Sequence, residues 1–249
     1  MSAVTALPML FAAGLLAGVV GTAGGITSLI SYPALLWAGL PALSAAMANN
    51  IALVACWPGS AIASRPELSG RGPWLRGWSL AAAVGGAAGA ILLLSTPAGT
   101  FGRIVPFLVM LGAAALLLQP RLKSLAGSAG SQRILPCGVV AVSVYNAYFG
   151  AGSGVLLLAL MLLTADPRLA RANALKNMLL GPSSIASAAL FVILSPVDWA
   201  AVGPLAAGLF AGATIGPRVA RRMPSTVLRW VVACFGLALA GWLWASPGM

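Results

Sequence analysis

The sequence contains no histidine and only three acidic residues among 249, namely Glu67, Asp166 and Asp198. The absence of histidine excludes His-ligated haem, His-based zinc sites and a Ser-His catalytic dyad. The three acids stand near the ends of apolar segments, so neither a cage for a divalent cation nor a buried carboxylate relay is expected. Three cysteines, an odd number, predict no disulfide framework. We therefore expect no metal, no cofactor and no enzymatic activity.

Charged residues of either sign are scarce. They make up 7% of the chain, against 60% apolar residues, whereas soluble domains carry about 25% charged residues. Apolar runs of about 18 to 22 residues recur along the chain, long enough to cross a hydrocarbon core as helices. They lack the polar alternation of barrel strands. The sequence predicts an all-α, polytopic integral membrane protein, multi-pass in the cell (inner or plasma) membrane, with the lipid bilayer as a partner.

The basic residues outnumber the acids and give a net charge of +11. Thirteen of the fourteen lie in four short clusters at 65–76, 121–133, 168–176 and 218–229, whereas the connections at 40–44 and 195–198 carry none. By the positive-inside rule, the clusters are cytoplasmic. Because this rule explains the charge, we do not expect nucleic acid as a partner.

The chain contains an internal repeat. Four residue pairs recur at a spacing of 127, and a glycine-rich run at 21–25 corresponds to another at 150–154; the pairs are Asn50/Asn177, Gly85/Gly212, Gly89/Gly216 and Pro97/Pro224. We divide the chain into a first repeat at 1–119, a cytoplasmic basic linker at 120–133 and a second repeat at 134–249, together forming one membrane domain. The placement of the basic clusters predicts opposite orientations, that is, two inverted-topology repeats.

Each repeat contains five apolar segments. We predict them at 3–20, 26–39, 44–63, 74–95 and 101–119, and at 134–149, 153–165, 172–194, 199–216 and 227–246. The second segment of each repeat has only about 13 or 14 residues, which is short for a full span. Each leading hairpin is either glycine-broken and re-entrant, which the short length favours, or a pair of tilted full spans. The number of spans therefore lies between six and ten.

The glycine clusters at the two hairpin tips are candidate anion sites. Each precedes a helical run, whose unpaired amides and macrodipole attract anions. One hydroxyl in each cluster would add a donor. Close helix packing is the alternative explanation for such glycines. The candidate substrate-binding residues here are Gly21, Thr22, Gly24, Gly25, Gly150, Gly152, Ser153 and Gly154.

Asparagines follow each hairpin and would offer uncharged donors for reversible binding of an oxyanion. Asn49 and Asn50 stand in the first repeat, and Asn173 and Asn177 in the second. Each pair precedes a proline, at 58 or 182, where we expect a helix break that frees a backbone carbonyl. We include the four asparagines in the candidate site, with Pro58 and Pro182 as helix breaks.

Lys176 is the sharpest single candidate, about one turn inside segment 172–194. An ammonium there is costly unless it faces a cavity or reaches the interface. Its position slightly favours snorkelling to the cytoplasmic surface. The other interpretation is that it belongs to the anion site.

The sequence resembles the TauE/SafE family of membrane permeases along nearly its whole length. The resemblance rests on the glycine-rich element followed by Tyr32-Pro33, its repeat at 150–154, and the Gly-Ala-Thr-Ile-Gly-Pro-Arg-Val-Ala-Arg-Arg-Met-Pro run at 212–224. It implies a permease for sulfite, sulfoacetate or related organosulfur anions. Asn49-Asn50 departs from the family, which often has Thr or Ser in this region.

We expect a permease that exports a small anion, such as sulfite or an organosulfur anion, by alternating access. Uptake of a sulfur compound or small anion coupled to Na⁺ or H⁺ is one alternative. Another is a non-transporting membrane scaffold or assembly subunit, in which the glycines only pack helices. The sequence leaves the substrate, the coupling ion, the direction and the oligomeric state open, a homo-oligomer included.

Overall fold

The computed structural model describes residues 3–125 and 134–220 and the single residue Gly241. Every regular element in these ranges is an α-helix, which confirms the all-α prediction. In chain order the helices are α1 (Ala3–Gly24), α2 (Ser28–Trp37), α3 (Ala42–Leu53), α4 (Cys56–Ala63), α5 (Arg65–Leu68), α6 (Gly72–Leu94), α7 (Ala98–Leu125), α8 (Ile134–Tyr148), α9 (Ser153–Thr164), α10 (Leu169–Leu194) and α11 (Trp199–Ala220).

The helices match the predicted segments with three differences. Segment 44–63 is divided into α3 and α4, and the short helix α5 follows it in the first basic cluster. Helix α7 continues to Leu125, so the first part of the predicted linker is helical. The predicted segment 227–246 lies outside the described residues.

Four described helices are long and apolar enough to cross a membrane, namely α1, α6, α10 and α11. Helices α2 and α9, with 10 and 12 residues, rise by only about 15 and 18 Å. That is well short of a hydrocarbon core of about 30 Å. The short second limbs therefore fit the re-entrant form of the hairpins.

Glycines form the turn of each leading hairpin. Between α1 and α2 the backbone of Gly25 has a φ of 83°, and between α8 and α9 Gly150 and Gly152 have φ of 85° and 78°. These values lie in the left-handed region, which glycine enters without a Cβ penalty. The two glycine clusters are thus the tips of the two hairpins.

Glycines also allow two pairs of helices to pack in close contact. In the first pair, α1 packs along α11: a Cβ on Gly14 would be 3.0 Å from Leu209 N, and one on Gly18 would be 3.0 Å from Ala213 N. In the second, α6 packs along α8, where Gly85 faces Val140 and Gly89 faces Val144. Small residues permit such approach in membrane helices.

Residue numbers rise together along both pairs, so each pair runs parallel. Helix α1 leads the first predicted repeat, and α11 corresponds by the repeat to α6. Helix α8 leads the second. The leading helix of each predicted repeat therefore packs on the fourth apolar segment of the other repeat: α1 on α11, and α8 on α6.

Aromatic contacts join the two hairpins. Tyr32 of α2 meets Phe149, at the end of the α8 limb, edge-on with ring centroids 5.1 Å apart. Both rings are 1% exposed and belong to the larger apolar core, with Phe101 of α7 beside them. This core places the two hairpins against each other.

Asp166 connects the two predicted repeats through ion pairs in the turn between α9 and α10. The side chain is 2% exposed, and its carboxylate lies 2.9 Å from Arg71, 3.0 Å from Arg168 and 3.7 Å from Arg171. Hydrogen bonds from Arg168, and then from Arg71, hold the pKa of this carboxyl at about 2. Arg71 caps α6, so the carboxylate joins two predicted cytoplasmic turns.

The close α6–α8 contact predicts a contrast between two glycines of α6. Gly89→Ala should destabilise the protein by about 1–3 kcal/mol, because the added methyl overlaps the carbonyl of Val144. Gly77→Ala is the matched control, since nothing lies within 4 Å of its Cβ position; alanine should stabilise the helix there by about 0.5–1 kcal/mol. Unfolding in detergent measures both, and equal stability of the two variants would contradict the packing.

The Asp166 cluster predicts an acid-dependent loss of stability. Its carboxylate has a pKa of about 2 in the folded protein, below the value of about 3.9 for an unfolded chain. Its contribution is therefore complete above pH 4 to 5, roughly, and is lost as the pH falls toward 2. Asp166→Asn should cost about 1–3 kcal/mol at neutral pH. The melting difference between the variant and the wild type should shrink with acid; a constant difference would contradict this assignment.

Candidate functional site

The tips of the two hairpins touch each other. A Cβ added to Gly25 would lie 2.5 Å from the carbonyl carbon of Gly154, and one added to Gly154 would lie 2.5 Å from the Cα of Gly25. Only hydrogen at both positions permits this approach of the two backbones. The two glycine clusters, 129 residues apart in the chain, therefore converge on one place.

A cavity of about 50 Å³ lies at this contact. Its volume is several times the 10–15 Å³, roughly, that one water molecule requires. Seven of the predicted site residues line it: Gly21, Thr22, Gly25, Gly150, Ser153, Gly154 and Asn177. The described lining residues carry no formal charge; their polar groups are hydroxyls, carboxamides, an indole and the backbone.

Backbone amides at the hairpin tips remain available as donors. The N–H groups of Ile26 and Thr27, before α2, and of Gly154, in the first turn of α9, make no hydrogen bond to another described residue. Free amides are normal at a helix start, where they bind anions. Thr27 and Gly154 both line the cavity, so unpaired amides of both tips belong to residues of its wall.

The two predicted hydroxyl donors are already engaged. Thr22 Oγ1 donates to Gly18 O at 2.6 Å, within its own helix. Ser153 Oγ lies 2.7 Å from Asn146 Oδ1 and 2.8 Å from Gly150 O, so its proton also stays within its hairpin. Both residues line the cavity, but their hydroxyl groups can only accept hydrogen bonds from a ligand there, because their protons are already donated.

Asn173 and Asn177 of α10 hold the tip of the first hairpin. Their Nδ2 groups donate to the carbonyl of Thr22, at 2.9 and 3.2 Å. Asn177 lines the cavity, whereas Asn173 lies outside it with its Oδ1 unpaired among the described residues. These asparagines couple the second repeat to the tip of the first.

Asn49 and Asn50 lie outside the cavity lining. Asn49 accepts from Ser31 Oγ at 2.6 Å and donates to Ser28 Oγ at 3.1 Å, which joins α3 to α2. Asn50 donates to Ala46 O and, across the repeats, to Ala147 O at 3.2 Å. Gly24 and Gly152 also flank the cavity without lining it. These residues position the hairpins.

Asn146 of α8 is a cavity residue that the sequence analysis missed. Its Nδ2 lies 3.4 Å from both Ser183 Oγ and Ser184 Oγ, and its Oδ1 accepts from Ser153. It is 3% exposed within an apolar segment. A carboxamide in such a segment is itself a signal of function. The other lining polar residues outside the prediction are Thr27, Ser28, Cys56, Trp57, Ser60 and Ser184.

The two proline segments differ. Upstream of Pro58 the helix is interrupted at residues 54–55, and the proline stands in the first turn of α4, where no N–H is needed. Helix α10 instead continues through Pro182 without interruption. The prediction that the helix breaks at Pro182 is therefore wrong. Trp57 lies flat against Gly181, whose lack of a side chain makes room for the indole. The two segments meet at the cavity wall.

Lys176 is fully buried, at 0% exposure, which excludes snorkelling to the surface. Its ammonium has no hydrogen-bond partner among the described residues. It stands one helical turn before Leu180, which lines the cavity. Lys176 therefore lies at the edge of the cavity without lining it.

Apolar helices, a polar cavity between paired hairpins and a buried cation together define a polytopic membrane transporter. The chain matches the family model described as "Sulfite exporter TauE/SafE" over residues 9–243 and belongs to this family. The resemblance predicted from its motifs is thus confirmed. No solved structure gives a significant match.

Relatives with descriptive names agree with this class. The chain is 30% identical over 222 residues to "Probable membrane transporter protein YfcA" of Escherichia coli K12, covering 86% of this chain and 80% of the relative. It is 27% identical to a "Probable membrane transporter protein" of Haemophilus influenzae, covering 90% and 88%. It is 26% identical to "Probable membrane transporter protein ORF9" of a Sinorhizobium species, covering 97% and 93%.

The contact of the hairpin tips predicts that alanine will destabilise the protein at Gly154 but not at the nearby Gly24. Gly154→Ala should destabilise the protein by about 1–3 kcal/mol and separate the tips, because the new methyl has no room beside Gly25. Gly24→Ala is the matched control, since its nearest neighbour would be Ile26 Cδ1 at 3.8 Å. Thermal unfolding in detergent tests the contrast. A tolerated alanine at 154 would show that the tips do not touch.

Proposed function

We propose that this protein is a cell-membrane permease that exports a small anion, with sulfite or an organosulfur anion as the substrate class, by alternating access. The observation that carries the proposal is the convergence of two glycine hairpin tips on a neutral polar cavity beside the buried ammonium of Lys176. The description of the family supports the sulfur oxyanion.

The electrostatics of the cavity favour an anion. Free amides at two helix starts belong to residues at the cavity, where the positive ends of the helix dipoles favour an anion. The buried Lys176 stands one helical turn before the lining residue Leu180. Asp166, the other buried residue of the described ranges with a formal charge, is compensated by arginines. Neutral donors release an oxyanion more readily than a ring of cations would, which suits a transporter.

Inverted repeats form part of the proposal. Chain reversals at 25–27, 38–41 and 64–71 would place α6 antiparallel to α1. Because α1 runs parallel to α11 and α6 runs parallel to α8, the leading helices α1 and α8 would then run in opposite directions. Such an arrangement supports a pseudo-twofold axis in the membrane plane through the touching tips, and rocking of one repeat against the other.

The energetics of export agree with the scarcity of acids. With a negative interior, moving one negative charge outward gains about 2.3 kcal/mol per 100 mV. At about 100–150 mV this supports an outward gradient of roughly 50- to 300-fold for a monoanion without a coupling ion. No proton-carrying carboxylate is required, and the described cavity lining contains none.

Net efflux of radiolabelled sulfite from proteoliposomes tests the proposal. We expect efflux to accelerate when the loaded interior is made negative with potassium and valinomycin, because one negative charge leaves in each cycle. Protein-free vesicles and the Gly77→Ala variant, which lies away from the cavity, are the controls. Sulfite flux equal to that of protein-free vesicles would refute the substrate, and flux insensitive to the potential would refute uniport.

One observation favours uptake as a second candidate. The Oδ1 atoms of Asn50 and Asn173 are buried and have no donor among the described residues, and neutral oxygens of this kind bind Na⁺ in transporters with broken helices. Replacing Na⁺ by choline in the same assay separates the two functions. Flux that requires Na⁺ would favour coupled uptake.

A further inference from the structure

We propose that Lys176 neutralises the charge of a monoanionic substrate, so that the loaded carrier reorients as an electrically neutral unit. The membrane potential then acts on the return of the empty carrier, in which the Lys176 charge is uncompensated. This inference rests on the proposed anion export and specifies the charge of its substrate.

The described surroundings of Lys176 contain no compensating partner. Its ammonium donates no hydrogen bond to a described residue and takes part in none of their salt bridges. Asp166 is held by arginines, and Asp198 accepts the amide of Ala201 at 3.1 Å at the start of α11. A fully buried cation without a partner is strongly unfavourable. An anion in the adjoining cavity would supply the missing charge.

The corresponding position of the first repeat shows that packing alone does not require a cation. At the repeat spacing of 127, Lys176 corresponds to Asn49. The neutral side chain of Asn49 is fully buried and satisfied by Ser28 and Ser31. At this position the first repeat thus has a hydrogen-bonded neutral amide, Asn49, and the second repeat has an ammonium, Lys176, without a hydrogen bond to a described residue.

The charge balance selects the valence of the substrate. The described cavity lining is neutral, so with Lys176 protonated the site without ligand carries one positive charge. A bound monoanion brings the net charge of the site to zero, whereas a dianion leaves one negative charge and a neutral solute leaves one positive charge. During export, the empty carrier would move its positive charge inward, in the direction that a negative interior favours.

Two modes of sulfite transport separate the loaded step from the empty step. Homoexchange in proteoliposomes requires only the loaded carrier to reorient, whereas net efflux also requires the empty carrier. At slightly acidic pH, where sulfite is mainly the monoanion, wild-type homoexchange should be unchanged between zero and about 100 mV. Net efflux should change several-fold, within the limit of about 50-fold that one elementary charge sets.

Lys176→Gln should make the loaded step dependent on the potential. Its loaded carrier would bear one negative charge, so homoexchange itself should become several-fold dependent on the potential. Lys176→Arg should retain potential-independent exchange, because it retains the charge. Arg103→Gln is the matched control for loss of one positive charge, since Arg103 is exposed on α7, and it should behave as the wild type.

The outcomes distinguish this inference from the function on which it rests. Potential-dependent homoexchange in the wild type, or unchanged potential-independent exchange in Lys176→Gln, would overturn the role of Lys176 while leaving anion export intact. Absence of sulfite flux in the wild type would overturn the proposed function and the inference with it. Lys176→Gln should also melt no lower than the wild type, because it removes an unpaired buried ammonium. The homoexchange measurement on the wild type tests the inference even if this variant does not fold.

Discussion

The contact between the backbones of Gly25 and Gly154 is the constraint on which the rest of the structure depends. The short helix α2 follows the turn that contains Gly25, and the short helix α9 has Gly154 in its first turn. Neither residue has a side chain, so the starts of the two helices meet. The cavity exists because the tips touch at one point and leave polar groups of both hairpins around it. Parallel packing of α1 on α11 and of α6 on α8 holds the outer limbs of the hairpins in place.

Much of this arrangement could be predicted from the sequence. Composition determined the membrane class, because 7% charged residues cannot cover a soluble fold of this size. The repeated glycine runs identified both hairpin tips, since a tight turn between helices needs residues that adopt positive φ. The family resemblance followed from these glycine runs together with Tyr32-Pro33 and the run at 212–224. Spacing alone could not show that Gly25 faces Gly154, because that contact depends on the packing of helices far apart in the chain.

Several polar side chains of the predicted site take part in contacts that the sequence did not indicate, for a physical reason. A carboxamide or hydroxyl in a membrane segment must find a partner, and the nearest is often the backbone of its own hairpin. Thr22 and Ser153 therefore line the cavity but donate elsewhere, whereas Asn49 and Asn50 fasten helices. Asn146 was missed because it stands alone in an apolar run, although its isolation there was the available signal. Pro182 likewise shows that a proline need not interrupt a membrane helix.

The two buried, formally charged residues in the described part of the chain define two different uses of charge in this fold. Asp166 is surrounded by arginines from both predicted repeats, and such a compensated charge can only stabilise the turns that it joins. Lys176 is also inaccessible to solvent but has no hydrogen-bond partner among the described residues, so its electrostatic energy depends on what occupies the neighbouring cavity. A transporter needs one such difference between its empty and occupied states, because a ligand shifts a conformational equilibrium only through interactions that differ between states. In the described part of this chain, Lys176 is where a change of charge in the cavity would have the largest effect.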